Sequence, residues 1–171
     1  MPVRARDPSD ADAAAALDAL RRIVRYLRLA DREVEHACGV SVAQLFVLRQ
    51  LADTPALSLG ELADRTLTDQ SSVSTVVARL VERDLVTRKP SAEDRRRAEL
   101  RLTARGRRLA RSAPRSPQEQ MIGAIRAMTP ARRAALVRSL EGLATAVGAG
   151  AVAPRMLFED EPAPARRPRR R

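Results

Sequence analysis

The chain has 171 residues, 44% of them apolar but only 2% aromatic, and a net charge of +11. Its one histidine (His36) and one cysteine (Cys38) exclude an intrachain disulfide and a thiolate metal cluster, and leave no nucleophile–base pair with an orienting third group. No apolar run approaches the ~18–20 residues that span a bilayer, and the N-terminus lacks a signal-peptide stretch.

The scarcity of aromatics dictates a core of Leu, Val and Ala, which suits packed helices. It also argues against single-strand nucleic-acid binding, which uses stacking aromatics. The charge is unevenly spread. Residues 88–111 hold ten basic side chains against Glu93, Asp94 and Glu99, whereas residues 61–84 hold three arginines against five acids. A short, acid-poor basic segment is the footprint of a polyanion-binding surface. There are 31 arginines to one lysine, a bias that explains the choice of Arg over Lys but not the clustering.

Residues 1–8 read as a loose arm. Residues 9–38 read as one long helix without Gly or Pro, capped by Ser9 or Asp10 and ended by Gly39. Leu17, Leu20, Val24, Leu27 and Val34 recur at helical spacing, and at ~1.5 Å per residue the helix is about 40 Å long. Such a seam wants a partner helix. Ser41 and Gln44 form a capping box for a second helix with Leu45, Leu48 and Leu51 inward, closed by Asp53-Thr54-Pro55. Ser58 and Glu61 form another, opening a short helix to about Arg65. Thr66-Leu67-Thr68 is then a turn, and Asp69 caps a helix from Gln70 to Arg83.

On that helix Val73, Val76, Val77 and Leu80 fall within about 100° of one another at ~100° per residue. The other side carries Ser71, Ser74, Thr75, Ala78 and Glu82, with Arg79 on its flank. A face of small hydrogen-bonding side chains can lie deep in a major groove and read base edges. Asp84 stands where a left-handed residue is needed. Residues 85–88 and 99–102 read as a hairpin, Leu100 and Leu102 inward and Arg101 outward, and its basic turn runs from Lys89 to Arg97.

Thr103 opens another helix, which Pro114 and Pro117 interrupt. A helix resumes near Gln118 with Met121, Ile122, Ile125 and Met128 inward. Thr129-Pro130 starts the last helix, whose stripe is Leu136, Val137, Leu140, Leu143 and Val147. Residues 151–171, rich in Pro and Arg, read as a mobile basic tail.

The order of these elements resembles the MarR family of bacterial transcription regulators. The resemblance rests on Glu61-Leu62-Ala63, Ser72-Val73-Ser74, the run from Leu80 to Leu85-Val86, Asp94-x-Arg96, and Leu102-Thr103-x-x-Gly106. It implies a mainly α fold, with a winged helix-turn-helix (residues 41–103), a two-stranded β-wing and long N- and C-terminal dimerisation helices, the latter within residues 104–150. It implies a homodimer on a pseudo-palindromic operator of double-stranded DNA, usually as a repressor. The DNA-binding residues expected on this basis are Gln70, Ser71, Ser72, Ser74, Thr75 and Arg79 on the recognition helix, and Arg88, Arg95, Arg96 and Arg97 on the wing. Asp94 would orient Arg96 in a minor groove, where negative potential is concentrated. The expected dimer seam is Leu17, Leu20, Val24, Leu27, Leu136, Leu140 and Leu143. Thr75 and Asp84 depart from the family pattern, where Arg and Gly are usual.

The resemblance also suggests a small aromatic or phenolic acid as effector, near Arg28, Arg32 and His36. No cofactor, metal or membrane association is expected, and the location is cytoplasmic. Cys38 reads as a small buried thiol rather than a redox sensor. The competing class is a helical adaptor or architectural protein whose basic patch binds acidic partners or DNA without sequence preference.

Overall fold

The computed structural model describes residues 8–55, 57–90, 98–113 and 116–157. Their order is α1 (Pro8–Cys38), α2 (Val42–Asp53), α3 (Leu59–Thr66), α4 (Gln70–Glu82), β1 (Val86–Pro90), β2 (Ala98–Leu102), α5 (Ala104–Ser112), α6 (Pro117–Ala127) and α7 (Pro130–Ala146). Local chemistry sets most of these boundaries. Gly39 takes φ +65 after α1. The capping boxes at Ser41/Gln44 and Ser58/Glu61 are both closed. Asp69 accepts from the Ser72 N–H, and Thr103 from the Gly106 N–H. A further capping box, Ser116/Glu119 with Pro117 at the first turn, starts α6 and escaped the sequence reading.

The core gathers around α2, whose Val42 to Leu48 and Leu51 are buried. This helix packs against α1, α3, α4, α5, α6 and β2. Phe46, Leu45, Leu48, Leu62, Leu80, Leu85 and Leu100 are fully enclosed, and each such side chain contributes about 1.5–3 kcal/mol over leaving it exposed. β1 and β2 pair antiparallel, with Val86 opposite Leu102 and Arg88 opposite Leu100. An isolated bridge adds Leu57, whose carbonyl accepts from the Leu100 N–H at 2.8 Å.

Gly106 explains the glycine that follows the hairpin. A Cβ there would lie 2.0 Å from the Leu85 carbonyl oxygen. The same carbonyl accepts from the Thr103 N–H at 3.1 Å, and the Thr103 hydroxyl donates to the Asp84 carbonyl at 2.9 Å. The start of α5 is therefore drawn directly onto the turn between α4 and β1, leaving no room for a side chain. Asp84 itself takes φ 55, as its position after α4 requires. Leu67, before α4, takes φ 53 and ends α3.

A polar joint ties α6 to the lobe. Arg49 of α2 donates to Glu119 of α6 at 3.1 Å and to the Ala113 carbonyl at 2.9 Å. Further out, the Tyr26 hydroxyl donates to the Gln120 side chain at 3.1 Å.

Four expectations need correction. Leu27 is only 6% exposed within one chain, so it packs inside the protomer and is not available to a seam. Met121, Ile122, Ile125 and Met128 are half-buried: full burial in α6 is confined to Pro117 and Gln118 of its first turn, and Ile122 packs on the edge of the core. Cys38 is partly buried against the core rather than enclosed. The segment after residue 151 does not simply trail away: Met156 is 3% exposed and joins the main core cluster. Phe158 onward lies outside the described residues.

Candidate nucleic-acid interface

α3, the turn at Leu67-Thr68 and α4 form the helix-turn-helix. Its scaffold side is Leu62, Ala63 and Thr66 of α3 against Val73, Val76, Val77 and Leu80 of α4, all buried. The Thr66 hydroxyl donates to the Leu62 and Ala63 carbonyls at 2.9 and 3.1 Å, which satisfies a polar group that the turn encloses. Because the apolar side of α4 is consumed in this way, its opposite side points away from the lobe. Gln70, Ser71, Ala78 and Glu82 are exposed, and Ser74, Thr75 and Arg79 are half-buried.

The hydroxyls at the start of α4 are held by the helix itself. Ser71 Oγ donates to Asp69 Oδ1 at 2.5 Å, and Thr75 Oγ1 donates to the Ser71 carbonyl at 3.1 Å. Asp69 Oδ1 also accepts from the Ser72 N–H at 2.9 Å. These bonds, that from the Ser71 hydroxyl first, hold the Asp69 carboxyl below its ordinary value. The face is thus rigid and small. Its hydroxyl oxygens still have lone pairs to offer a base edge.

Ser72 is the member of the expected reading set that the fold removes. It is 2% exposed, and its Oγ accepts from the Met156 N–H at 2.9 Å. It lies at the edge of the buried arc of α4, where a sequence-based helical wheel cannot say on which side of the boundary a small residue falls. Arg88 is exposed at the middle of β1, on the same side of the hairpin as Val86 and opposite Leu100. Arg101 is exposed on the other side, in an ion pair with Glu99 at 2.8 Å. Asp94, Arg95, Arg96 and Arg97 lie outside the described residues.

The remaining expected residues fall on the arms. Leu17 (49% exposed), Val24 (44%), Leu140 (48%) and Leu143 (45%) lie open in the single chain, and Leu20 and Leu136 are half-buried. No residue of α7 is buried. Arg28, Arg32 and His36 form an exposed row one turn apart on α1. Among the described residues no group of three or more His, Cys, Asp or Glu is placed to hold a metal, and no helix is long and apolar enough to cross a membrane.

Comparison with known proteins agrees with this arrangement. The family model described as "MarR family" matches residues 39–97. The chain is 32% identical over 116 residues to an uncharacterised HTH-type transcriptional regulator, ML2140 of Mycobacterium leprae, a match covering 66% of this chain and 78% of that protein. It is 38% identical over 68 residues to the HTH-type transcriptional repressor MdtR of Bacillus subtilis, covering 40% of this chain but only 44% of MdtR. Among solved structures, BpsR of Bordetella bronchiseptica aligns with a TM-score of 0.51 at 25% identity, covering 84% of this chain and 97% of BpsR. That structure concerns regulation of DNA binding by 6-hydroxynicotinic acid. The recognition lobe and its flanking helices are therefore shared with known regulators through most of the chain, and the chain belongs to the MarR family of winged helix-turn-helix transcriptional regulators.

Proposed function

We propose that the protein is a repressor that binds a pseudo-palindromic operator as a homodimer, and that a small aromatic or phenolic acid releases it. The observation that carries this reading is the division of α4 into a buried apolar side and an open side of Gln70, Ser71, Ser74 and Thr75. Such a face admits close approach to the major groove floor, where base edges present distinct hydrogen-bonding patterns. Arg88 on the hairpin, with Arg95, Arg96 and Arg97 beyond it, supplies cations for the flanking phosphates and minor groove. Asp94 is the residue that orients Arg96.

The homodimer reading is supported by the apolar stripes that α1 and α7 leave open at Leu17, Val24, Leu140 and Leu143. Covering them with a second copy sets two recognition helices about one DNA turn apart, ~34 Å. A hydroxylated aromatic acid regulates the DNA binding of BpsR. In this chain the row of Arg28, Arg32 and His36 offers positive charge to such a carboxylate. Work on DNA places the protein in the cytoplasm.

A salt-titrated mobility shift with fragments upstream of the chain's own gene tests the reading. Retention of one fragment at salt concentrations that release all others supports it. Equal release of every fragment favours an architectural role, and no binding at any salt favours an adaptor.

A further inference from the structure

Beyond α7 the chain makes two tight turns, with Gly148 at φ 77, and runs as a non-helical strap over residues 151–157. Five of those residues besides Leu157 are exposed, and Met156 alone is buried. Its side chain enters the same core cluster as Val73, Val76 and Leu80 of the recognition helix. Its N–H donates to Ser72 Oγ, a buried acceptor in the first turn of that helix. The Met156 side chain and this hydrogen bond thus pin the strap to α4. The Arg155 N–H donates to the Ala153 carbonyl at 2.9 Å, which shapes the strap just before the anchor.

The anchor lies at an informative edge. At ~100° per residue, Ser72 is about 20° from Arg79 and about 60° from Thr75 around the helix. The anchor point therefore lies beside the open face rather than within it. Arg155 directly precedes the anchor and is exposed. Covalent geometry and the 2.9 Å bond put its Cα within roughly 5 Å of Ser72 Oγ. The recognition helix is poor in cations of its own: between Gln70 and Glu82 only Arg79 is basic. A cation fixed at its flank meets a need that the helix does not fill.

We propose that the strap adds Arg155 to the DNA-contacting surface, as a phosphate-contacting residue clamped beside the recognition helix by Met156. The ligand is the phosphodiester backbone of duplex DNA. The proposal rests on the DNA-binding reading above. Because phosphates carry no sequence information, the contact strengthens operator and non-operator DNA alike.

The test compares full-length wild type, Arg155→Ala, Met156→Ala, Met156→Leu and Arg166→Ala by mobility shift over a series of salt concentrations. Wild type that fails to bind DNA removes the function proposed above, and this contact with it. With a binding wild type, Arg155→Ala is expected to weaken all fragments at least on the order of tenfold and to lower the slope of log K against log salt by about 0.9 for each protomer bound, about 1.8 for the homodimer. Met156→Ala reproduces that loss although it retains the arginine, and Met156→Leu restores it. Arg166→Ala, which removes the same charge outside the strap, changes the slope less than Arg155→Ala. An unaltered slope in Arg155→Ala overturns the proposal, as does an equal effect of Arg155→Ala and Arg166→Ala. If Met156→Ala loses its thermal transition, Arg155→Ala and Met156→Leu decide the matter alone, since neither removes core volume substantially.

Discussion

The recognition lobe and the helical arms use similar residues to opposite ends. In the lobe, Leu45, Leu48, Leu62 and Leu80 are fully enclosed by other parts of the same chain. On the arms, Leu17, Leu140 and Leu143 stand at equally regular helical spacing and remain nearly half exposed. The lobe closes because α3, α4, α5, β2, the first turn region of α6 and part of α1 all pack on α2. The α1 stripe is covered by the chain only at Leu27 and Val34, and its outer part, like the stripe of α7, is left open. Periodicity alone reports that a face is apolar. It does not report whether the covering surface belongs to the same molecule.

Substitutions can break this contrast. The largest effect is expected in the lobe: Phe46→Ala, at 1% exposure, should cost about 3–5 kcal/mol in denaturant unfolding. Gly106→Ala should follow at about 3 kcal/mol, because the new methyl meets backbone rather than a movable side chain. A loss below about 0.5 kcal/mol there would contradict the close approach of α5 to Leu85.

The joint between lobe and arms comes next. Arg49→Ala removes a cation that is 24% exposed and leaves the partly buried Glu119 without it. With allowance for solvent screening, about 1 kcal/mol is expected, together with faster amide exchange at the start of α6. Unchanged exchange there would mean that apolar contacts alone hold the arm.

On the arms the expectation inverts. Leu140→Glu should leave the unfolding of the lobe within about 0.5 kcal/mol at matched assembly state, yet convert the protein to monomer in sedimentation. A variant that sediments as wild type does would sink the proposal that this stripe is covered by a second copy.

The smallest effect concerns acid. The bonds from Ser71 and Ser72 lower the Asp69 pKa. A carboxyl lowered on folding stabilises the folded state above its unfolded pKa, and that contribution is lost as pH falls through the folded value. The first turn of α4 should therefore loosen only in acid, below the ordinary carboxylate range. The Ser72 amide shift followed by NMR should move with this titration in wild type and stay flat in Asp69→Asn, which retains a capping oxygen. A wild-type shift insensitive to acid would dissociate the cap from Asp69.

Most element boundaries were legible because they are set by residues three or four apart. Ser41 with Gln44, Ser58 with Glu61, Asp69, Thr103 and Thr129 act on backbone groups within reach of their own side chains, and Asp84 acts through its own left-handed backbone. The candidate reading face was legible for a related reason, since the apolar arc of α4 defines its opposite. The misreadings share a different cause. Leu27 lies inside the protomer, and α6 is fully buried only at Pro117 and Gln118, with Ile122 of its apolar stripe resting on the core while half-buried.

The amino-acid sequence by itself determined where helices start and stop, which faces are apolar, and that the basic surplus sits in the hairpin and the helix after it. These follow from local hydrogen bonding, periodicity and composition. Only the tertiary structure decided which apolar faces one chain can cover, why Gly106 admits no side chain, and that Ser72 turns inward to hold Met156 from 84 residues away. Those outcomes depend on segments that meet only after the chain has folded, and no short-range pattern encodes the distance between them.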